Sequence, residues 1–260
     1  MNSSITQHFN RSEIPFLERC DDLVNRSLGE YRPVLTNFIN PRQAYLLTVI
    51  SNGYRDSHLK LMGGLKNAEM KRGLLYPDYF QPELSDFQLA LINVGYPQKF
   101  VHLRHSQILG ALMGSGIRRN TIGDIFTNGS KWQFLTEQKM VPFLKNELTR
   151  VGHDRVSLTQ IALNQMISPI NDWVNRDLTV SSLRVDVLIA RSFSISRGNV
   201  KKIIKHGQVR LNWTECKHPD YELGPGDILS IRHFGRLQLK NLNGKSKKGK
   251  LRVVISIVKK

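Results

Sequence analysis

The chain has 260 residues, of which 40% are hydrophobic and 23% are charged, and this composition is typical of a folded protein with two or three domains. No apolar run approaches the roughly 20 residues that cross a bilayer, so we expect no membrane-spanning helix. The formal net charge of +17 and the pI of about 10.1 indicate an acidic partner, nucleic acid in the first place and an anionic membrane surface in the second.

Residues 1–82 are predicted to form a small α/β domain that is largely helical. Helices are expected over residues 12–28, from Pro41 onwards and over residues 67–73, and a short strand is expected over residues 58–62. The helix at Pro41 is the best defined, because the preceding asparagine is a good cap and proline suits the first helical position.

Residues 83–165 predict a second domain in which strands and helices follow in the order βαββαβ. The Asn128-Gly129 pair predicts a tight hairpin turn, and Pro142 is expected to kink the second helix or to delay its start. The order predicts a ferredoxin-like α-β plait, a fold shared by many RNA-recognition domains, although the stacking aromatics of an RNA-recognition sheet are not evident. The strands are predicted over residues 87–94, 122–127, 132–136 and 155–161, and the helices over residues 106–114 and 137–148.

A connection is predicted over residues 164–182, followed by a short amphipathic helix over residues 183–190. Most of the excess positive charge lies beyond this connection. Residues 181–260 carry 18 Lys and Arg against 5 Asp and Glu, a net charge of +13, whereas residues 1–180 carry 20 against 16. Solubility alone requires no such asymmetry, so residues 181–260 are predicted to be a domain that binds nucleic acid.

The next segment predicts a helix with two different faces. Ser196 is a good N-terminal cap, and Gly207 is placed to end the helix in the left-handed conformation. Val200, Ile203 and Ile204 recur at helical spacing and predict a buried stripe. The opposite side contains no acidic residue, which favours phosphate binding over a merely solvated face. Its basic residues are Arg197, Lys201, Lys202, Lys205 and His206.

Three blocks occur in order near the C-terminal end: L-R-V-D-V-L (183–188), S-R-G-N-V-K-K-I-I-K-H-G-Q-V-R-L-N (196–212) and L-G-P-G-D-I-L-S-I (223–231). Together they resemble the S4 domain, an RNA-binding module named after a protein of the small ribosomal subunit. Trp213 departs from the family pattern, which usually has Gly after this Asn, so we expect the loop over residues 212–218 to have a different shape.

Four further motifs precede this region: Y-R-P-V-L-T (31–36), G-G-L-K-N-A-E (63–69), G-Y-P-Q-K-F-V (95–101) and G-S-G-I-R-R-N-T-I-G-D-I (114–125). With the S4 blocks they resemble the bacterial YlmH family over nearly the whole chain. The resemblance implies an α+β protein of three domains that associates with the ribosome. It further implies binding to ribosomal RNA and to tRNA on the large subunit, in translation or the rescue of stalled chains. Met70 stands where the family has Arg after Glu, and Arg72 is the candidate to replace that Arg.

The S4 resemblance also implies which residues contact RNA, because the family uses the basic helix and the turn before it. The first candidates are Arg184, Arg197, Lys201, Lys202 and Lys205. The second candidates are Arg210 and Lys217. A basic loop over residues 244–250, between strands predicted at 237–239 and 251–258, and the segment before it add Arg236, Lys245, Lys247 and Lys248. We expect that replacing Arg197, Lys201 and Lys205 with Gln weakens RNA binding and leaves the domain as stable as before, because it removes like-charge repulsion.

The sequence contains no recognisable catalytic, metal or cofactor site, so we expect a protein that is not an enzyme and takes no small-molecule substrate. Gly235-Arg236-Leu237-Gln238 has Gln where pseudouridine synthases need a catalytic Asp, and the pair His102 and His105 lacks a third ligand. Close helix packing is expected to explain Gly110, Gly114 and Gly116 better than a phosphate loop does. Core packing is expected for Trp132, Trp173 and Trp213.

Two alternatives stay open. One is an RNA-modifying enzyme, similar to pseudouridine synthases, with an active site in residues 1–165 that a perturbed carboxylate such as Asp78, Asp86 or Asp124 would reveal. The other is an adaptor linked to cell division or to a membrane surface. Cys20 and Cys216 form no CxxC pair, and the first ten residues lack the features of a signal peptide, so we expect a cytoplasmic protein. We also expect a monomer without membrane contact.

Overall fold

The structure is a computed structural model that describes residues 13–259. These residues form two compact units, which divide between Ile170 and Asn171. Both units combine helices with antiparallel sheet, and the predicted α+β class is confirmed. The expectations for Ser12 and for the first ten residues lie outside the described residues. Within residues 13–259, no helix is both long and apolar enough to cross a membrane.

The first part of the first unit contains two helices and a three-stranded sheet. Helix α1 (Ile14–Gly29) and helix α2 (Pro41–Ser51) match two predicted helices, and Asn40 caps α2 by accepting a hydrogen bond from the Gln43 N–H at 2.9 Å. The apolar sides of both helices pack with the sheet in one core. The strands, in their order across the sheet, are β1 (Val34–Ile39), β3 (Lys71–Tyr76) and β2 (His58–Met62).

The helix predicted over residues 67–73 is wrong. The segment instead enters β3, the central strand, which pairs with β1 on one side and β2 on the other. The turn before it is held by a distant residue, since the Asp124 carboxylate accepts hydrogen bonds from the N–H groups of Glu69 and Met70 at 2.8 and 3.0 Å. Pairing on both sides therefore overrides the weak local preference for helix.

The second part of the first unit is the predicted plait. Its elements are β4 (Leu89–Gly95), α3 (His105–Gly114), β5 (Ile122–Thr127), β6 (Trp132–Glu137), α4 (Val141–Glu147), a small hairpin of β7 (Arg150–Val151) and β8 (Asp154–Arg155), and β9 (Ser157–Ile161). The sheet order β5-β6-β4-β9, all antiparallel, is that of a split βαβ fold. Asn128-Gly129 lies in the loop that joins β5 to β6, and Pro142 delays α4 behind a short turn of 3-10 helix over Gln138–Met140.

Both faces of the plait sheet are covered. Helices α3 and α4 pack on one face in a core that includes Ile92 and Phe134. On the other face, Phe38 of β1 and Leu74 of β3 pack in a second core with Leu91. The two domains predicted within residues 1–165 therefore pack into one compact unit.

The second unit is a six-stranded antiparallel sheet with two helices. Its elements are β10 (Val174–Val180), α5 (Val185–Phe193), α6 (Arg197–Lys205), β11 (Val209–Leu211), β12 (Thr214–Glu215), β13 (Ile228–Ile231), β14 (Gly235–Lys245) and β15 (Leu251–Lys259). The strands lie in the order β10-β15-β14-β13-β11-β12, and the helices share one apolar core with the sheet.

The connection predicted over residues 164–182 is wrong in its second half. Strand β10 lies there and pairs with β15 along its whole length, from Val174 opposite Ile257 to Val180 opposite Leu251. Most of its side chains are exposed, so the segment lacks the apolar alternation that predicts a strand. The pairing partner lies at the far end of the chain, which is why local patterning did not reveal the strand.

Candidate RNA-binding surface

Helix α6 has the two faces that the sequence predicts. Ser196 caps the helix by accepting a hydrogen bond from the Asn199 N–H at 3.2 Å, and Gly207 ends it at φ +67°. Val200 and Ile204 are buried in the core of the second unit. Because one side of α6 is fixed against the core, its basic side is turned to solvent.

The basic side of α6 carries a lysine face, defined as Lys201, Lys202 and Lys205. All three side chains are exposed. Among residues 13–259, none of the three takes part in an ion pair. Arg210 of β11 is exposed as well. The positive charges of this surface are therefore free to act on an external anion.

Arg184 and Arg197 share an acidic partner that is buried. The Asp186 carboxylate on α5 accepts hydrogen bonds at 3.1 Å from Arg184 Nε and at 2.7 Å from an Arg197 terminal nitrogen. Burial raises the pKa of Asp186, but the hydrogen bonds and charges of the two arginines outweigh this effect and hold the pKa below its usual range. The arginine side chains remain 34% and 53% exposed, so each stabilises the fold and still faces solvent.

This pair changes the expectation for the triple Gln variant at one residue, because Arg197 has an acidic partner. Replacing Arg197 removes one of two guanidinium groups from a buried carboxylate, so we now expect a loss of stability instead of a relief of repulsion. The acidic partner belongs to α5, outside the helix on which charges were counted. A variant restricted to the lysine face leaves this ion pair intact.

The last two S4 blocks meet through a side-chain pair. Asn212 Nδ2 donates to Asp227 Oδ1 at 2.7 Å, and Asn212 Oδ1 accepts from the Ile228 N–H at 2.9 Å. The second carboxylate oxygen of Asp227 accepts from the Gly224 N–H at 2.8 Å. Both polar side chains are thus occupied in closing the Gly-Pro-Gly-Asp turn onto β11, a structural role that the sequence analysis did not identify.

Arg236 lies between two tryptophan rings. Its guanidinium carbon is 5.8 Å from the ring centroid of Trp173 and 5.6 Å from that of Trp213, within the range of cation–π interactions. Trp213 adopts φ +67°, a left-handed conformation that costs a residue with a side chain about 1 kcal/mol or more. Both rings are half-buried and lie outside the core, so the expected core packing is wrong for them. Trp132 packs against the plait core as predicted.

The remaining candidates lie on the surface of the second unit. Lys245 is the last residue of β14, and Lys247 and Lys248 belong to the turn between β14 and β15. Lys217 follows β12. All four side chains are exposed, so they extend the positive surface of the unit beyond α6.

The carboxylates weighed as catalytic candidates in the first unit have protein partners. Asp78 Oδ1 lies 2.6 Å from His58 Nε2, and Asp86 accepts a hydrogen bond from the Glu83 N–H at 2.7 Å. Burial raises the pKa of Asp124, yet both of its oxygens hold backbone N–H groups of the turn before β3. Within the described residues, no cluster of three His, Cys, Asp or Glu side chains is arranged to hold a metal ion.

Arg72 is a buried structural residue, 4% exposed. Its guanidinium donates hydrogen bonds to the carbonyl oxygens of Thr36 at 2.8 Å and Phe87 at 3.0 Å, and it lies 3.8 Å from the Glu137 carboxylate. Burial lowers the pKa of Arg72, against the raising effect of Glu137. Arg72 therefore joins the three-stranded sheet to the plait, and its position in the interior removes it from RNA contact.

The glycines of the Gly-Ser-Gly region are not explained by close packing. A Cβ added at Gly110 or Gly114 would meet no atom within 4 Å, so the packing expected for these two residues is wrong. Gly116 adopts φ +85°, and this left-handed conformation accounts for the glycine.

The sequence matches two RNA-related domain families in the regions just described. Residues 183–229 match the S4 domain, and residues 82–165 match a family described as "Putative RNA-binding domain in YlmH". With the basic surface of the second unit, these matches define the class: an RNA-binding protein with an S4 domain at its C-terminal end.

Comparison with whole proteins identifies the family. The chain is 39% identical over 251 residues to "Ribosome-associated protein quality control protein P2" of Bacillus subtilis, covering 96% of this chain and 97% of the relative. It is similar to a solved structure, "Cell division protein ylmH from Streptococcus pneumoniae", at 35% identity and a TM-score of 0.55, over 62% of this chain and 98% of that one. The chain is also 37% identical over 54 residues to small ribosomal subunit protein uS4 of Pseudothermotoga lettingae. This match covers 20% of this chain and 26% of the relative. The chain belongs to the YlmH family, and the resemblance on which the sequence prediction rested is confirmed.

Proposed function

We propose that the chain binds structured ribosomal RNA through its second unit and does not modify it. The observation that carries this proposal is the lysine face of α6. Three exposed lysines lie there on one helix, without an ion pair among the described residues, in a region of net charge +13. Their mutual repulsion opposes the helix, and an RNA phosphate backbone would relieve it.

Arg184 and Arg197, both paired with Asp186, add oriented hydrogen-bond donors for phosphate oxygens. A guanidinium already held by a buried carboxylate loses less conformational freedom when it meets a phosphate. Arg197 lies at the first position of α6, where the helix N-terminus also favours an anion. The proposed contacts therefore begin with Arg184, Arg197 and the lysine face, and continue to Arg210, Lys217, Arg236, Lys245, Lys247 and Lys248.

On the ribosome we propose the large subunit as the binding site, with contacts to ribosomal RNA and to tRNA, and a role in the rescue of stalled chains. Support comes from the relative of Bacillus subtilis, whose name assigns it to ribosome-associated quality control and whose identity extends over nearly the whole chain. We propose a monomer that acts in the cytoplasm, where ribosomes are. Co-sedimentation with separated ribosomal subunits tests the choice of subunit.

A role as an adaptor in cell division is the second candidate, favoured by the name of the Streptococcus pneumoniae structure. The two candidate functions predict different effects of replacing the lysines of the lysine face. Ribosome association requires these charges, whereas an adaptor that binds division proteins elsewhere on the chain keeps its partners when they are gone. Affinity purification of the wild type and the lysine-face variant separates the two.

The absence of catalysis is tested directly on RNA. Bulk RNA incubated with the protein is expected to keep its nucleoside composition, because the partly buried carboxylate of Asp124 is used to hold backbone N–H groups. A modified nucleoside that disappears in an Asp124→Asn variant would support the enzyme alternative instead.

The decisive variant replaces Lys201, Lys202 and Lys205 with Gln in the full chain. We expect affinity for a structured ribosomal RNA fragment to fall about tenfold or more, equivalent to about 1.4 kcal/mol, with no loss of stability. The matched control replaces three exposed lysines of the first unit, Lys66, Lys131 and Lys145, and changes the net charge equally. Equal losses in both variants would contradict a defined site on α6.

A further inference from the structure

The sheet of the plait offers RNA no open face. RNA-recognition domains of this topology stack bases on exposed aromatics of the sheet. Here α3 and α4 cover one face, and the other is packed against Phe38 and Leu74 of the three-stranded sheet. Any contact between this domain and RNA must therefore use an edge or a loop of the plait.

A pocket of about 440 Å³ opens at such an edge, where four elements converge. Asn37 of β1 forms one wall, and the loop from Gly116 to Thr121 forms another. The short turn before α4 and the first residues of α4 complete the lining with Lys139, Met140 and Phe143. This volume lies in the range of sites that hold small organic ligands.

One residue of the pocket lining, Asn120, has a buried acceptor without a partner. Asn120 Oδ1 is shielded from solvent, yet no hydrogen bond reaches it within the described part of the chain. A buried acceptor left unsatisfied is unfavourable, and a rotation of the Asn120 amide toward the pocket would let a ligand N–H group satisfy it. Every RNA base carries such a donor on its Watson–Crick edge.

The rim of the pocket supplies a stacking surface and a positive charge. Phe143 is 41% exposed, although it is a large apolar side chain. Arg118 is exposed, and its side chain has no hydrogen-bond or ion-pair partner among residues 13–259. An aromatic ring beside a free guanidinium is the combination with which proteins hold a base and its phosphate.

A buried carboxylate lies behind two residues of the pocket lining, Asn37 and Lys139. Glu137 is 1% exposed, and its carboxylate accepts a hydrogen bond from Asn37 Nδ2 at 2.5 Å and lies 3.0 Å from Lys139 Nζ. With Arg72 at 3.8 Å, Glu137 lies close to two cationic groups of the protein. Glu137 is therefore paired within the protein, and Arg118 is the charged residue of the lining that has no protein partner among residues 13–259.

We propose that this pocket binds one unpaired nucleotide of an RNA, with the base against Phe143 and Asn120 and the phosphate at Arg118. The inference rests on the proposed function, because the second unit supplies the main attraction to RNA. The pocket adds recognition of an unpaired base, which a positive surface by itself does not provide.

The test measures binding of the full chain to two fluorescent probes, a single-stranded uridine dodecamer and an RNA duplex of equal length. We expect Asn120→Ala and Phe143→Ala each to weaken binding of the single strand about fivefold or more and to leave duplex binding unchanged. Asn120→Ala should also keep or raise the stability of the protein, because it removes an unsatisfied buried acceptor. Tyr45→Ala and Arg55→Gln, exposed residues of the same unit outside the pocket, are the matched controls.

The outcomes distinguish this proposal from the one on which it rests. Unchanged binding of the single strand by both pocket variants, or an equal loss for both probes, would overturn the nucleotide pocket. The lysine-face variant should weaken both probes. If the lysine-face variant binds both probes as tightly as wild type while the pocket variants lose affinity for the single strand, the proposed function of the second unit is wrong. The proposal of a nucleotide pocket is then still supported.

Discussion

Among single residues, Arg197 has two roles: it pairs with a buried carboxylate, and it is a proposed RNA contact. Its guanidinium is 2.7 Å from the fully buried Asp186 carboxylate, yet half of the side chain faces solvent at the start of α6. A substitution here changes stability and RNA affinity together, so a loss of binding cannot be assigned to a lost phosphate contact. The lysines of the same helix form no ion pair among residues 13–259, so their replacement tests RNA contact alone.

Arg197→Gln is predicted to destabilise the second unit by about 1–3 kcal/mol at neutral pH, because the buried carboxylate keeps only Arg184. The folded-state pKa of Asp186 is depressed, so the stabilisation is present above its unfolded value of about 3.9 and is lost as the pH falls through the folded value. Urea unfolding should therefore separate wild type from variant at pH 7 and bring them together in strong acid. Lys201→Gln is the control, and a variant as stable as wild type at pH 7 would contradict the role of the pair.

Each unit contains one cysteine, Cys20 in the first and Cys216 in the second, so the reactivity of each thiol measures the unfolding of its own unit. Burial raises the pKa of the Cys20 thiol to about 12, and it also raises that of Cys216. We predict that neither thiol is alkylated in the folded protein at pH 7.5, because both are buried and the thiolate is the reactive form. Mass spectrometry of peptides after iodoacetamide in increasing urea should show each thiol reacting as its own unit unfolds. Rapid labelling without urea would contradict this burial.

Among the secondary-structure elements, β3 is a strand because it pairs with β1 and β2. Arg72 on β3 ties this strand to other segments of the first unit. The guanidinium donates to carbonyl oxygens of β1 and of the segment before β4, so three chain segments depend on one side chain. Because Arg72 is buried, it is not available for a contact at the protein surface.

Arg72→Met is predicted to destabilise the first unit by about 3 kcal/mol or more, because it leaves buried carbonyl groups unpaired and removes a charge close to Glu137. Alkylation of Cys20 in urea should then occur at a lower concentration, while that of Cys216 stays unchanged. Arg55→Gln, an exposed charge change in the same unit, is the control. An equal shift for both cysteines would mean that the two units unfold together.

At the scale of the whole molecule, the charge asymmetry predicts a strong dependence of RNA binding on salt. If about five to seven basic side chains contact phosphates, the logarithm of affinity should fall with the logarithm of salt concentration at a slope of about −4 to −6. The lysine-face variant should reduce the magnitude of this slope by about 2 to 3, and the control variant at Lys66, Lys131 and Lys145 should leave it unchanged. A slope near zero would contradict an electrostatic interface.

Sequence patterns correctly predicted the features that depend on residues close together along the chain. These include the cap and the left-handed end of α6, its buried stripe and basic side, the Asn128-Gly129 hairpin and the order of the plait, because caps, turns and amphipathic periods are local interactions. The family motifs likewise predicted the S4 domain and the YlmH family.

Features that arise from contacts between distant segments became visible in the three-dimensional structure. Asp186 pairs with Arg197 of the next helix, β10 is a strand because β15 lies beside it, and residues 71–76 are a strand because β1 and β2 flank them. The pocket at Asn120 joins residues from four elements, and no pattern within any one of them indicates it. The physical reason is the same in each case: burial and pairing depend on which segments meet in space, and they override the weaker local preferences from which sequence patterns are read.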